Sequence, residues 1–126
     1  MEMKFHYTKD EWDRGKAEMR RILEGVAARK DVTTYSELAS KMTTIHIEAY
    51  GRPMDYMLGE IAVEDDASGR GLMTALVKHK TGDMAPGVGF YTIAEQLGRD
   101  TSDRDICWIT ELKRVHNDWA NAQETK

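Results

Sequence analysis

Apolar positions in this chain recur mostly at helical spacing, and one stretch breaks that rhythm. Trp12, Met19, Ile22, Leu23 and Val26 form a stripe, and Thr8 followed by Glu11 sets a capping box ahead of it. A first helix is expected there, weakened but not stopped by Gly15. Thr34 and Glu37 repeat the capping signature, and Tyr35, Leu38, Ala39 and Met42 predict a short second helix facing the core. Residues 43–51 alternate weakly and end in glycine, so they read as a loop. Pro53 suits the first turn of a third helix with Met54, Met57, Leu58 and Ile61 as its stripe, ending in the acidic, turn-prone residues 64–69. Residues 91–97 predict a short helix stopped by Gly98. Ser102 is expected to cap a final helix over 103–123, with Trp108, Leu112, Val115 and Trp119 inward and Ile109 beside them.

The stretch that breaks the rhythm is 72–91, LMTALVKHKTGDMAPGVGFY. It reads as an apolar strand over 72–77, a turn rich in Gly and Pro, and a return that opens a helix. A lone hairpin among helices predicts a mainly α protein with one β-hairpin (α+β). The architecture expected is a winged helix-turn-helix plus a long C-terminal helix, in a single domain over 1–126. Residues 1–7, anchored by Phe5 and Tyr7, are expected as a brief strand beside that hairpin.

Composition narrows the function classes. A chain of 126 residues with 40% hydrophobic and 32% charged positions builds one ordinary core. Its apolar runs are too short to span a membrane, and its opening residues show no signal-peptide pattern. The single cysteine, Cys107, excludes an internal disulfide and a multi-cysteine zinc site, and a cytoplasmic location is expected. The net charge of −4 disfavours DNA binding unless the basic residues gather on one face.

Val32-Thr33-Thr34-Tyr35-Ser36-Glu37-Leu38-Ala39 resembles the V-T-T-Y-G-E-L-A opening of the winged-helix domain in O6-alkylguanine-DNA alkyltransferases and their alkyltransferase-like relatives. Arg52 before an apolar helix and the 72–77 stretch follow in the order of that family, and the resemblance covers about residues 30–92. It implies a winged helix that binds DNA or a protein. The family's acceptor cysteine, set in Pro-Cys-His-Arg, has no counterpart in Leu72-Met73-Thr74-Ala75-Leu76-Val77, so alkyl transfer is not implied. Cys107, among Ile106 and Trp108, is expected to be a buried, inert thiol.

Two binding sites follow as expectations. For nucleic acid, the contacts are Arg52 at the start of the third helix and Lys78, His79 and Lys80 at the wing. Against this, the third helix turns Asp55, Tyr56, Glu60 and Glu64 outward, and carboxylates repel phosphates. Those residues with Asp65 and Asp66 form the alternative: an acidic face, of the kind found in immunity proteins and phage inhibitors of defence systems, that covers a basic partner protein. Met54, Met57, Met73 and Met84 would add adaptable apolar surface if exposed. Arg14, Lys16, Arg20, Arg21, Arg29 and Lys30 are expected as a solvated face of the first helix.

No catalytic set is expected. His46-Ile47-Glu48 lacks the cysteine pair of a zinc deaminase, and His6, His46, His79 and His116 have no metal-site spacing. Gly87-Val88-Gly89 is too short a motif for a phosphate loop, and no cofactor is called for. A homodimer through the C-terminal helix is expected if Trp108 or Trp119 is exposed.

Overall fold

Thr8 closes a strand and opens a helix. A computed structural model describes residues 3–79 and 85–124. Met3–Lys4 (β1) and Tyr7–Thr8 (β2) pair antiparallel, with Met3 opposite Thr8 and Lys4 opposite Tyr7. The Thr8 hydroxyl then accepts the Glu11 amide while the Glu11 carboxylate accepts the Thr8 amide, and α1, Lys9–Ala28, begins. Trp12, Met19, Leu23 and Val26 are buried along it, with Ile22 partly so. Gly15 has a packing reason: a methyl group there would lie 2.6 Å from Ile45 Cδ1. The glycine lets the 43–51 loop lie against the helix, at a propensity cost of about 1 kcal/mol relative to Ala.

Thr33–Thr34 (β3) leads into α2, Tyr35–Lys41, whose cap is the Thr34 hydroxyl accepting the Glu37 amide at 3.1 Å. Glu37 does not complete the expected box; its carboxylate accepts from Thr33 Oγ1 instead, at 3.1 Å. Helix α3, Arg52–Ala67, starts with Pro53 in its first turn and buries Met54, Met57, Leu58 and Ile61. It runs through Glu64, Asp65 and Asp66 rather than ending at them, because each finds a cationic partner.

The 72–91 stretch departs from the expected hairpin. Met73–Leu76 is a turn of 3-10 helix, and among the described residues of this stretch Val77–Lys78 (β4) alone is a strand. It pairs parallel with β3 in the register Thr33 to Val77 and Thr34 to Lys78; the expected turn at 80–84 lies outside the described residues. The antiparallel pair of the described chain lies at 3–8 instead. The reason is complete burial. Leu72, Met73, Ala75, Leu76 and Val77 are all at 0% exposure, and a continuous apolar run has no strand period to enforce. Its amides are satisfied by carboxylates rather than a neighbouring strand. Gly71 N–H donates to Asp118 Oδ2 at 2.8 Å, Leu72 N–H to Glu111 Oε1 at 3.1 Å and Met73 N–H to Asp65 Oδ2 at 2.9 Å. A Cβ at residue 71 would sit 2.9 Å from the Val115 nitrogen, so this approach requires glycine.

Helix α4, Val88–Gln96, begins three residues earlier than expected, and α5, Arg104–Glu124, is the expected long C-terminal helix. Its cap is Asp103, which accepts the Ile106 amide at 3.1 Å, while Ser102 turns back to Asp100. The inner line of α5 is Cys107, Glu111 and Val115; Trp108, Leu112 and Trp119 pack at its sides and Ile109 is exposed. One core cluster joins α1, α2, α3 and the 73–77 turn, and a second joins Ala62, Leu72 and Ala75 to Phe90, Tyr91, Ala94 and Cys107. The protein is thus mainly helical with small strand pairs, and no helix of the described residues is long and apolar enough to cross a membrane.

Candidate functional site

The acids of α3 face cations of the same chain. Glu60 takes Lys4 at 2.6 Å, Lys16 at 3.3 Å and the Trp12 indole N–H at 2.8 Å. Glu64 takes Lys16 at 2.6 Å and Arg20 at 2.8 Å. Asp65 is buried, with Arg20 at 2.9 Å on one oxygen and the Met73 amide on the other. Asp66 is held by Arg99. Burial opposes ionisation of Glu60 and Glu64, but the lysine and arginine partners outweigh it and hold both carboxyls below their ordinary range. At Asp65 burial dominates and raises the carboxyl, against the pull of Arg20 and the Met73 amide.

This corrects two expectations. Lys16 and Arg20 are not a solvated face of α1, since their side chains are only 22% and 23% exposed over α3. Glu60, Glu64, Asp65 and Asp66 are not an open acidic face, because helix α1 and Arg99 already neutralise them. Of the six residues assigned to that face, Asp55 and Tyr56 alone carry no ion pair with a described residue and stay outward. Met54, Met57 and Met73 are fully buried core, and Met84 lies outside the described residues.

The expected nucleic-acid contacts behave differently. Arg52 opens α3 in solvent, Lys78 is half-buried at the end of β4, and neither has an ion-pair partner among the described residues. His79 donates its amide to Ala85 at 2.9 Å, and its ring lies 5.3 Å from Tyr35 and 6.0 Å from Tyr50, stacked on Tyr50 at 16°. Tyr50, two residues before Arg52, is 58% exposed. Of the expected contacts, His79 is the one the structure stacks on this exposed ring. Arg52 is a near neighbour of Tyr50 in sequence and Lys78 of His79, and Lys80 lies outside the described residues. Beneath them the Tyr35 hydroxyl accepts the Gly87 amide at 3.0 Å, and burial raises its pKa against that bond. Burial likewise raises the Asp55 carboxyl, opposed by His79.

Tyr50 was not among the candidate contacts, and its only sequence signal is its place in Tyr-Gly-Arg-Pro ahead of a helix. Other groups have structural roles. Cys107 is buried and its thiol is pushed up by burial and by the Glu111 charge. His46 and Glu48 lie 2.9 Å apart, both in solvent, and His116 contacts the Asp31 carbonyl. The Gly87 amide that could have faced an anion belongs to Tyr35. Trp108 donates to the Ala75 carbonyl at 2.8 Å and Trp119 lies under Arg70, so neither marks an exposed dimer face. Between α3 and α4 runs an open groove of about 960 Å³ where Tyr56, Val63 and Val88 remain exposed.

Comparison of the chain with protein-family models, with curated proteins and with solved structures returned no match.

Proposed function

We propose that this protein is a non-enzymatic, cytoplasmic binding protein whose target is nucleic acid, engaged through the edge made by Lys78, His79, Tyr50 and Arg52. One observation carries this reading: an exposed tyrosine stacks on His79, beside Arg52 and Lys78 in sequence, and those two have no ion-pair partner among the described residues, while Glu60 and Glu64 of the same helix as Arg52 are paired within the fold. Unpaired Lys and Arg release counterions on binding phosphate, and an exposed aromatic ring stacks on bases. The resemblance of residues 32–39 to the winged helix of alkyltransferase-like proteins points the same way, without the acceptor cysteine.

The test is a salt-dependent shift assay on Arg52→Glu/Lys78→Glu. Each lost phosphate contact lowers the slope of log K against log salt by about 0.7 to 0.9. Unchanged affinity and slope would overturn the reading.

A second reading, a protein partner, is favoured by the exposed Tyr56, Val63 and Val88 around the α3–α4 groove rather than by acidic charge. Val63→Glu would abolish partner capture under this reading and leave nucleic-acid binding intact.

A further inference from the structure

The N-terminal hairpin seats one lysine among aromatic rings. Lys4 Nζ lies 5.3 Å from the Trp12 ring centroid and 4.9 Å from that of Tyr56. The same nitrogen is 2.6 Å from Glu60 Oε2. Phe5 packs against both of those rings, 5.8 Å from each, and Trp12 meets Tyr56 at 6.2 Å and 70°. Rings set at such angles around a cation, with a carboxylate at one side, are the chemistry by which proteins hold alkylammonium groups.

Two details separate this arrangement from a chance surface contact. The Glu60 oxygens divide their work: Oε1 accepts from Trp12 and Lys16, and Oε2 accepts from Lys4. Trp12 and Lys16 therefore hold the carboxylate in place whether or not Lys4 is seated. Phe5 sits in the turn at φ 62, a left-handed conformation that strains a non-glycine residue. That strained turn is what directs Lys4 and Phe5 together onto α1 and α3. The Lys4 side chain is still 39% exposed, so rotation about its own stem suffices to vacate the site.

We propose that Phe5, Trp12, Tyr56 and Glu60 form a binding cage for an alkylammonium ion that retains at least one N–H, and that Lys4 is its resident, displaceable occupant. This does not rest on the nucleic-acid reading. Glu60 Oε2 needs a donor, so primary, monomethyl and dimethyl ammonium groups fit, while a quaternary ammonium gives up the hydrogen bond. A free amine and a lysine side chain of a partner protein present the same chemistry.

The Lys4→Ala protein is titrated with methylammonium chloride while the Trp12 indole N–H resonance is followed, with sodium chloride at equal ionic strength as control. A resident occupant seated about nine-tenths of the time weakens apparent affinity about tenfold, so Lys4→Ala binds at least that much more tightly than the native chain. Tetramethylammonium binds more weakly than methylammonium, and adding Tyr56→Ala removes the response. In the native chain, excess methylammonium moves the Lys4 side-chain resonances towards solvent-exposed values, a reading independent of any variant's folding. No saturable shift beyond the sodium control, retained binding in Lys4→Ala/Tyr56→Ala, or unmoved Lys4 resonances would each overturn the proposal. A peptide with one dimethyllysine that outcompetes free dimethylammonium assigns a protein source; equal affinity assigns a free amine, and either upholds the cage.

Discussion

The α1–α3 interface and the Tyr50–His79 edge use the same residue types for opposite ends. At the interface, Lys16 and Arg20 lie over Glu60, Glu64 and Asp65, and each cation bridges two carboxylates. At the edge, Arg52 and Lys78 have no ion-pair partner among the described residues, and the neighbouring Tyr50 ring is exposed. Charge counted along a chain is therefore not charge offered to a partner. An ion pair directed inward fixes how two helices pack, whereas an unpaired cation keeps its attraction for a ligand.

The contrast breaks first at Arg20. Arg20→Met leaves Asp65 buried without its cation, and loss of one member of a buried pair costs about 3 to 5 kcal/mol. Urea unfolding is expected to show that loss while nucleic-acid affinity of the folded protein stays level. A loss well under 1 kcal/mol would remove the structural role assigned to the interface.

Glu18 gives the next effect and a pH signature. Its buried carboxylate accepts the amides and hydroxyls of Thr43 and Thr44. Burial opposes ionisation, but those bonds win and lower its pKa from 4.5 to about 2. Because the folded value is the lower one, this stabilisation is fully present above about pH 4.5 and is lost as the pH falls towards 2. Glu18→Gln is expected to cost about 2 to 3 kcal/mol at neutral pH and to flatten the acid limb of the stability curve. An acid limb identical to that of the native chain would contradict the assignment.

Tyr50→Ala reverses the pattern, with stability little changed and nucleic-acid affinity lowered by about 1 to 3 kcal/mol, the worth of one stacked base. A variant that binds as the native chain does would remove the ring from the site. The smallest effect is expected at Glu64→Gln, whose half-exposed pairs with Lys16 and Arg20 contribute under about 1 kcal/mol and fade with added salt. Melting curves at low and high salt measure it.

Local signals were legible where one element satisfied its own needs. The Thr8 and Glu11 box, the Thr34 cap, Pro53 and the stripes of α1 and α3 stand where their residues place them, because capping and helical spacing act over a few residues. The acidic end of α3 and the 72–77 run were misread for one shared reason. Asp65 is turn-prone in isolation but helical when Arg20 and the Met73 amide complete it. Leu72 to Val77 reads as a strand until Asp65, Glu111 and Asp118 are known to cap the amides of 71–73.

The chain by itself determined a mainly helical protein, the starts of its helices and most of its core, since amphipathic spacing and caps are local properties. It also set Arg52, Lys78 and His79 among the candidate contacts. Only the tertiary structure decided which charges are left to act. Pairing between Lys16 and Glu64, or stacking of His79 on Tyr50, joins residues 48 and 29 positions apart, and no local pattern encodes such a meeting. An ion pair needs its partners within a few ångströms, so whether a charged residue is structural or available is a fact of distance rather than of sequence.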